Sequence, residues 1–399
     1  MEQKSYTAYF MEHYLPRDEI AYRLPVSVSL SDAWREILRE RERNAVRLPL
    51  LSWDGHPYWY VPTNRFNEAG DRFMEAARDE AVSAMPQYEN DGGIIDEAFF
   101  SSVIEGAYST RQRAREFIME GTPPKDRSEQ MILNNYEALR FALEHVDDPI
   151  NEAVVLEIAR ILTKGTLEDS VRAGYRDGPV QVVSGRQEIV YEAPDASCIK
   201  SMMDALLTYI ADPEVHPVVK ACVTQIYFVT IHPFYDGNGR TARALSYLIL
   251  LKAGYHFMRQ VTISGILAQE RAKYYKAIMA CQNPANGYDF TYFLEFYADL
   301  LSRSVDGIHA HMAVYRALGE LEKRLSGDEF ARVLKGARWL AAEDIETITT
   351  EKWKSKFGVS FETARRDLTK LEEEGFVVMR TVGRKHFYGV TKSKKEVRN

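Results

Sequence analysis

A chain of 399 residues, 45% hydrophobic and 27% charged, has material for two or three domains and a sizeable core, which excludes a disordered or fibrous protein. Its three cysteines, Cys198, Cys222 and Cys281, lie far apart without a CxxC pair, which excludes a disulfide framework or a zinc knuckle and fits a reducing cytosol. The formal net charge of −7 is unevenly spread: the segment from Lys335 onward carries 15 Lys or Arg against 10 Asp or Glu, a basic tail on an acidic body.

In chain order, residues 1–94 read as an α-rich extension. The opening residues lack a basic stretch followed by an apolar run, so no signal peptide is expected. A serine cap at Ser31 and apolar spacing at Trp34, Ile37 and Leu38 predict a helix over 31–43. The aromatic stretch 53–60, with Asp54-Gly55 inside it, predicts a short hairpin or loop. Residues 66–85 read as a helix, and the Asn-Asp-Gly-Gly run at 90–93 breaks the chain before a helix bearing Ser101. Apolar repeats at i, i+3, i+4 predict helices over 130–146 and 151–163. Between 175 and 194, β-formers alternate around Ser184-Gly185, a hairpin signal. Helices over 200–210 and 216–230 lead to the stretch HPFYDGNGR at 232–240, and helices over 241–251 and 270–278 follow. The most apolar run, 244–253, is shorter than the ~20 residues of a bilayer span, so the expectation is a cytoplasmic protein without a membrane partner. Residues 304–334 read as connecting helices with a break at Ser326-Gly327-Asp328. The tail, 335–399, has its own organisation: a threonine-capped helix over 350–357, a turn at 358–360, a second helix over 361–374 ended by Gly375, and two short strands around 382–385.

The stretch 232–240 carries the chemistry. A glycine turn that opens a helix offers free N–H groups and the positive end of the helix dipole to an anion. Arg240 and Arg243, in the first turns, can grip phosphate oxygens bidentately. Asp236 is a hard oxygen ligand suited to the magnesium that accompanies a nucleotide, and His232 can take a proton near neutral pH. Upstream, Ser101 and Glu105 are four residues apart and share a helix face.

The same stretch matches, residue for residue, the Fic family signature HxFx[D/E]GNGRxxR, and so resembles the active-site motif of that family. The resemblance implies a mainly α fold, with a Fic-type helical core over 95–303 and a β-hairpin flap. The implied activity is transfer of AMP from ATP to a hydroxyl of a target protein. His232 would deprotonate the hydroxyl, Asp236 would hold Mg, and the backbone of Gly237, Asn238 and Gly239 would cradle the phosphates. Arg240 and Arg243 would bind the phosphate tail, Tyr275 would line the adenine pocket, and Phe234 would be a buried anchor. The string Ser101 to Gly106 resembles the inhibitory-helix pattern [ST]xxxE[GN] of Fic proteins, which implies that Glu105 pairs with Arg243 and blocks the ATP γ-phosphate. The hairpin resembles the Fic flap, on which a target adds as an extra strand; Val180, Val182, Ile189 and Tyr191 would dock it. Removal of AMP, a donor other than ATP, and nucleotide sensing by a regulator stay open. Dimerisation occurs in Fic proteins, but no seam for a homodimer is legible in this chain.

The tail resembles a winged helix-turn-helix of bacterial regulators, whose second helix enters the DNA major groove. By position Ser360, Thr363, Arg365, Arg366 and Lys370 would face DNA, with Arg384 and Lys385 on the wing. Glu362 and the Glu372–Glu374 run would repel phosphate, so a protein partner for this domain stays equally open.

Overall fold

The computed structural model describes residues 3–79, 82, 92–168, 174–183, 188–325, 327, 330–342, 345, 347–383 and 385–391. Two compact units result, one built from Met1–Ala77 and Gly93–Ser304 and the other from Arg78–Gly92 and Val305–Asn399.

The first unit is a helical core with two small hairpins. Its centre is the pair Pro217–Ile231 and Asn238–Lys252, the first apolar nearly all round and both buried along almost their whole lengths. Such helices need other elements on every side. Ala196–Ala211, Glu152–Leu162, Arg127–Glu144 and Arg271–Gln282 supply them. Capping matches the sequence: Asn151 accepts from Val154 N–H, and His216 from Val218 N–H with Pro217 in the first turn. Pro217–Ile231 ends at His232, whose φ of 51° places a non-glycine residue in the left-handed region.

In the N-terminal extension the helix runs over Leu30–Arg43, one residue earlier than expected. Ser29 takes the cap position, its hydroxyl engaged by Ser31 at 2.9 Å instead of a backbone N–H. The aromatic stretch forms the second strand, Pro57–Tyr60, of a hairpin with Val46–Leu51. That first strand holds Pro49, which a two-stranded ribbon tolerates on its free edge. The helix expected over 66–85 is Asn64–Arg78, and most of its expected remainder lies outside the described residues. Polar contacts tie the extension to the helical core: Arg41 donates to Tyr292 Oη at 2.7 Å, Tyr14 to Asp289 at 2.5 Å and Tyr227 to Leu51 O at 2.8 Å.

In the second unit the helix Thr291–Arg324, which begins in the first unit, and Ala331–Ala342 precede Thr350–Phe357 and Phe361–Glu373. Thr349 caps the first of the short pair, Gly358 closes it in the left-handed conformation, and Ser360 caps the second. Strands Val377–Val382 and Lys385–Val390 pair, and Thr347–Ile348 adds a third strand beside the latter. Trp353 is fully buried and donates to Asp367 at 3.0 Å, while Arg332 grips the same carboxylate with two bonds of 2.7 and 2.9 Å. A Cβ at Gly336 would fall inside the Trp353 ring. Gly336→Ala is expected to destabilise this unit by about 1–3 kcal/mol, read as an earlier denaturation transition.

Candidate active site

The site is assembled where the two central helices meet. His232 caps the first; its Nδ1 lies 3.2 Å from Val229 O. A carbonyl can only accept, so Nδ1 carries the proton and Nε2 presents its lone pair. Burial lowers the His232 pKa from its ordinary 6.5, against the opposing pull of the Val229 bond. The ring is therefore neutral at pH 7, in the form a general base requires.

The loop is held by its own side chains. Asn238 Nδ2 donates to Phe234 O at 2.8 Å and Asn238 Oδ1 accepts from Phe234 N–H at 2.9 Å, a two-bond staple across the turn. Its side chain is thus committed to the loop, and only its backbone is left for a ligand. Phe234 is buried, as its anchor role implied. Gly237 has φ of 83° and opens Asn238–Lys252. Asp236 accepts from Gly237 N–H at 2.6 Å and from Arg240 at 3.3 Å. Arg240 is fully buried and donates to Leu162 O at 2.9 Å; burial lowers its pKa.

Arg243 is the best-engaged group of the site. Its Nε donates to Ser101 Oγ and its Nη2 to Ser101 O, both at 2.9 Å, and Nη2 also donates to Glu105 Oε1 at 2.8 Å. Burial is the strongest single influence and works against its charge, but the Glu105 carboxylate, Tyr274 and Tyr275 together raise its pKa. The Glu105 carboxylate lies against Gly239, where a Cβ would run into Oε1. It thus sits on the first turn of the helix, where an anion is favoured. Arg243 Nη1 and Arg240 Nε are buried without a hydrogen-bond partner. Glu105 follows the last residue of the helix Gly92–Ile104, and Gly106 (φ 91°) leads the chain away.

Tyr275 donates to Ile104 O at 3.2 Å, beside Glu105, and burial with the nearby Glu105 charge pushes its pKa up to about 12. The flap strands are Gln181–Val183 and Ile189–Glu192; the Ser184-Gly185 turn is outside the described residues. Val182 pairs with Tyr191, and Val180 O accepts from Ala193 N–H. Ile189 is exposed, but Tyr191 turns inward and donates to Thr230 O at 2.7 Å, so its side chain anchors the flap and is not presented to a target.

Two arginines had no signal in the sequence. Arg176, buried at the flap base, donates to His232 O (2.8 Å), Gly178 O (2.7 Å) and Pro194 O (2.6 Å), binding the histidine backbone and both ends of the flap. Arg127, the first residue of Arg127–Glu144, reaches Asp236 Oδ2 at 3.5 Å. Neither stands near the motif in sequence, and only the fold brings them there.

In the second unit Thr363, Arg365 and Arg366 lie on Phe361–Glu373, with both arginines exposed. Lys370 is paired with Glu373 and Glu374, at 3.5 and 2.9 Å, which draws its charge from the solvent face. Lys385 is exposed on the last strand; Arg384 is outside the described residues.

Residues 149–250 match the model of the Fic/DOC family, and residues 342–388 that of the DeoR-like helix-turn-helix domain. The chain carries a Fic domain. It is 28% identical over 233 residues to "Protein adenylyltransferase Fic" of Nematostella vectensis, covering 55% of this chain and 51% of that one. It is also 28% identical over 248 residues to the protein of that name in Drosophila melanogaster, covering 58% and 46%. The chain thus spans about half the length of these curated relatives. A crystal structure of a Fic family protein from Desulfovibrio desulfuricans G20 superposes with a TM-score of 0.56 at 20% identity, over 84% of this chain and 98% of that one, a likeness of fold. Ser101, Glu105 and Arg127 lie outside the segment matched by the Fic domain. Imidazole NMR should find the Nδ1–H tautomer of His232 titrating below pH 6.5; a midpoint at or above 6.5 contradicts the buried, neutral base.

Proposed function

We propose that the Fic domain is a Mg-dependent protein adenylyltransferase that moves AMP from ATP to a Ser, Thr or Tyr hydroxyl, and that Glu105 holds it off. The carrying observation is the anion seat on the first turn of Asn238–Lys252, filled by the Glu105 carboxylate and faced by the unpartnered Nη1 of buried Arg243. The relatives bearing the name adenylyltransferase favour ATP as the donor.

In this reading the target chain lies along the flap and presents its hydroxyl to His232. Nε2 takes the hydroxyl proton while the oxygen attacks the α-phosphorus. The bond from the α-phosphorus to the α–β bridging oxygen breaks, and pyrophosphate leaves. The backbone N–H groups of Asn238 and Gly239 and the Arg240 guanidinium hold the charge that develops on the phosphates, while Gly237 N–H holds Asp236. Among the described residues no three His, Cys, Asp or Glu side chains cluster as a metal cage. One carboxylate, Asp236, with a third of its side chain exposed, suits Mg, which is commonly held by one or two carboxylates plus substrate phosphates. When bound, Mg would neutralise charge on the phosphates and the leaving group. Arg176 keeps the His232 backbone in its left-handed conformation next to the flap.

Glu105 competes for the guanidinium that a γ-phosphate would use, so ATP binds without its α-phosphorus set for in-line attack. Removing Glu105 leaves a buried guanidinium under-paired, at a cost of about 1–3 kcal/mol to the unliganded protein. Incubated with Mg-ATP, Glu105→Gly should gain one or more AMP adducts by intact mass, wild type few and Glu105→Gly/His232→Ala none. Absence of adduct from all three, with ATP binding retained, would move the assignment to AMP removal or nucleotide sensing.

For the DeoR-like domain we propose duplex DNA as partner, on the exposed pair Arg365 and Arg366. Double substitution to alanine should weaken DNA binding at least tenfold and flatten its salt dependence. Unchanged binding and slope would point to a protein partner.

A further inference from the structure

The off state is closed at the phosphate end by Glu105, but a second ion pair stands at the opposite end of the motif. Asp236 Oδ1 is used within the loop by Gly237 N–H and Arg240, whereas Oδ2 faces Arg127 at 3.5 Å. The Arg127 side chain is 68% exposed and the Asp236 side chain 33%, so the guanidinium comes to the carboxylate from the solvent side. Oδ2 is the oxygen left for a cation once Oδ1 is committed to the loop.

The helix that carries Arg127 also backs the inhibitory segment. Ser102 Oγ donates to Met131 O at 3.2 Å, Asn135 Nδ2 to Ala98 O at 3.0 Å, and Tyr108 N–H to Ser128 Oγ at 3.1 Å. Arg127–Glu144 therefore touches the residues on both sides of Glu105 and, through its first residue, the carboxylate of the motif.

We propose that Arg127 is a second lock: a counter-cation that masks Asp236 until a divalent cation arrives with its nucleotide. It is a positioning residue, not a phosphate ligand. It keeps the carboxylate from repelling triphosphate in the metal-free site and is displaced when the metal takes Oδ2. Mg-nucleotide must then exchange two ion pairs, Glu105–Arg243 and Arg127–Asp236, one at each end of its phosphate chain. The inference rests on the nucleotide reading of the site but not on the direction of group transfer.

The test is ATP binding by calorimetry on the full-length chain, at graded free Mg and in EDTA, in the Glu105→Gly background with or without Arg127→Ala or Arg127→Lys. Removing the guanidinium should lower the free Mg at half-saturation by about two- to fivefold, the scale of an exposed ion pair. It should weaken ATP binding in EDTA by a like factor and leave the affinity at saturating Mg unchanged; Arg127→Lys should behave as the parent. An equal loss of affinity at saturating Mg makes Arg127 a phosphate ligand and overturns the proposal, as does an unchanged Mg midpoint. Failure of the Glu105→Gly parent to bind ATP at any Mg level overturns the nucleotide reading, and this inference with it. A normal melting temperature for Arg127→Ala shows that the readout comes from the site.

Discussion

Everything in the active site turns on a guanidinium that is taken out of water and must be neutralised by something. Arg243 is only 4% exposed, and the helix that bears it points the positive end of its dipole the same way. Two like contributions to the potential in one buried place make an anion a requirement of the fold. Glu105 meets that requirement from within the chain, and a phosphate chain would meet it from outside. In the proposed function, inhibition and substrate binding are then one demand answered by two donors of negative charge.

The geometry keeps this exchange local. The helix Gly92–Ile104 is fastened at its start: Asp96 takes Arg111 and Arg115, and Glu97 takes Thr262 Oγ1, Ser264 N–H and Ser264 Oγ. Glu97 thereby caps a second helix, Ile263–Gln269, and a Cβ at Gly93 would strike Arg259 O. Such anchors oppose movement of the helix as a body. In the proposed exchange Glu105, past its last residue and 28% exposed, would change partner by turning its own side chain.

Much of this was legible in the sequence because it is written in short range. The 232–243 motif and the glycine turn lie within twelve consecutive residues, so the sequence alone brings them together, even though Arg176 and Leu162 then hold them in place. Helices over 130–146 and 151–163 were likewise legible, since one apolar face repeats at helical spacing. What escaped depends on contacts between distant residues. Arg176 and Arg127 are single arginines in polar surroundings, and nothing local separates them from solvated ones. The strand Val46–Leu51 was missed because Pro49 is a poor strand former and only the pairing with Pro57–Tyr60 justifies it. Tyr191 has the alternation of a presented flap residue, yet the bulge between Val182 and Val183 accompanies its inward turn.

The position of Glu105 beyond the helix has a genetic corollary. Glutamate and glycine codons differ by one base, and a glycine at 105 would fall past the last residue of the helix. On the proposed reading, loss of the restraint is thus one mutational step away and leaves the 232–243 loop intact, whereas its gain needs a carboxylate of the right reach over one particular glycine. In a population, variants freed in this way would arise readily and, if the proposed activity holds, persist only where that activity is harmless.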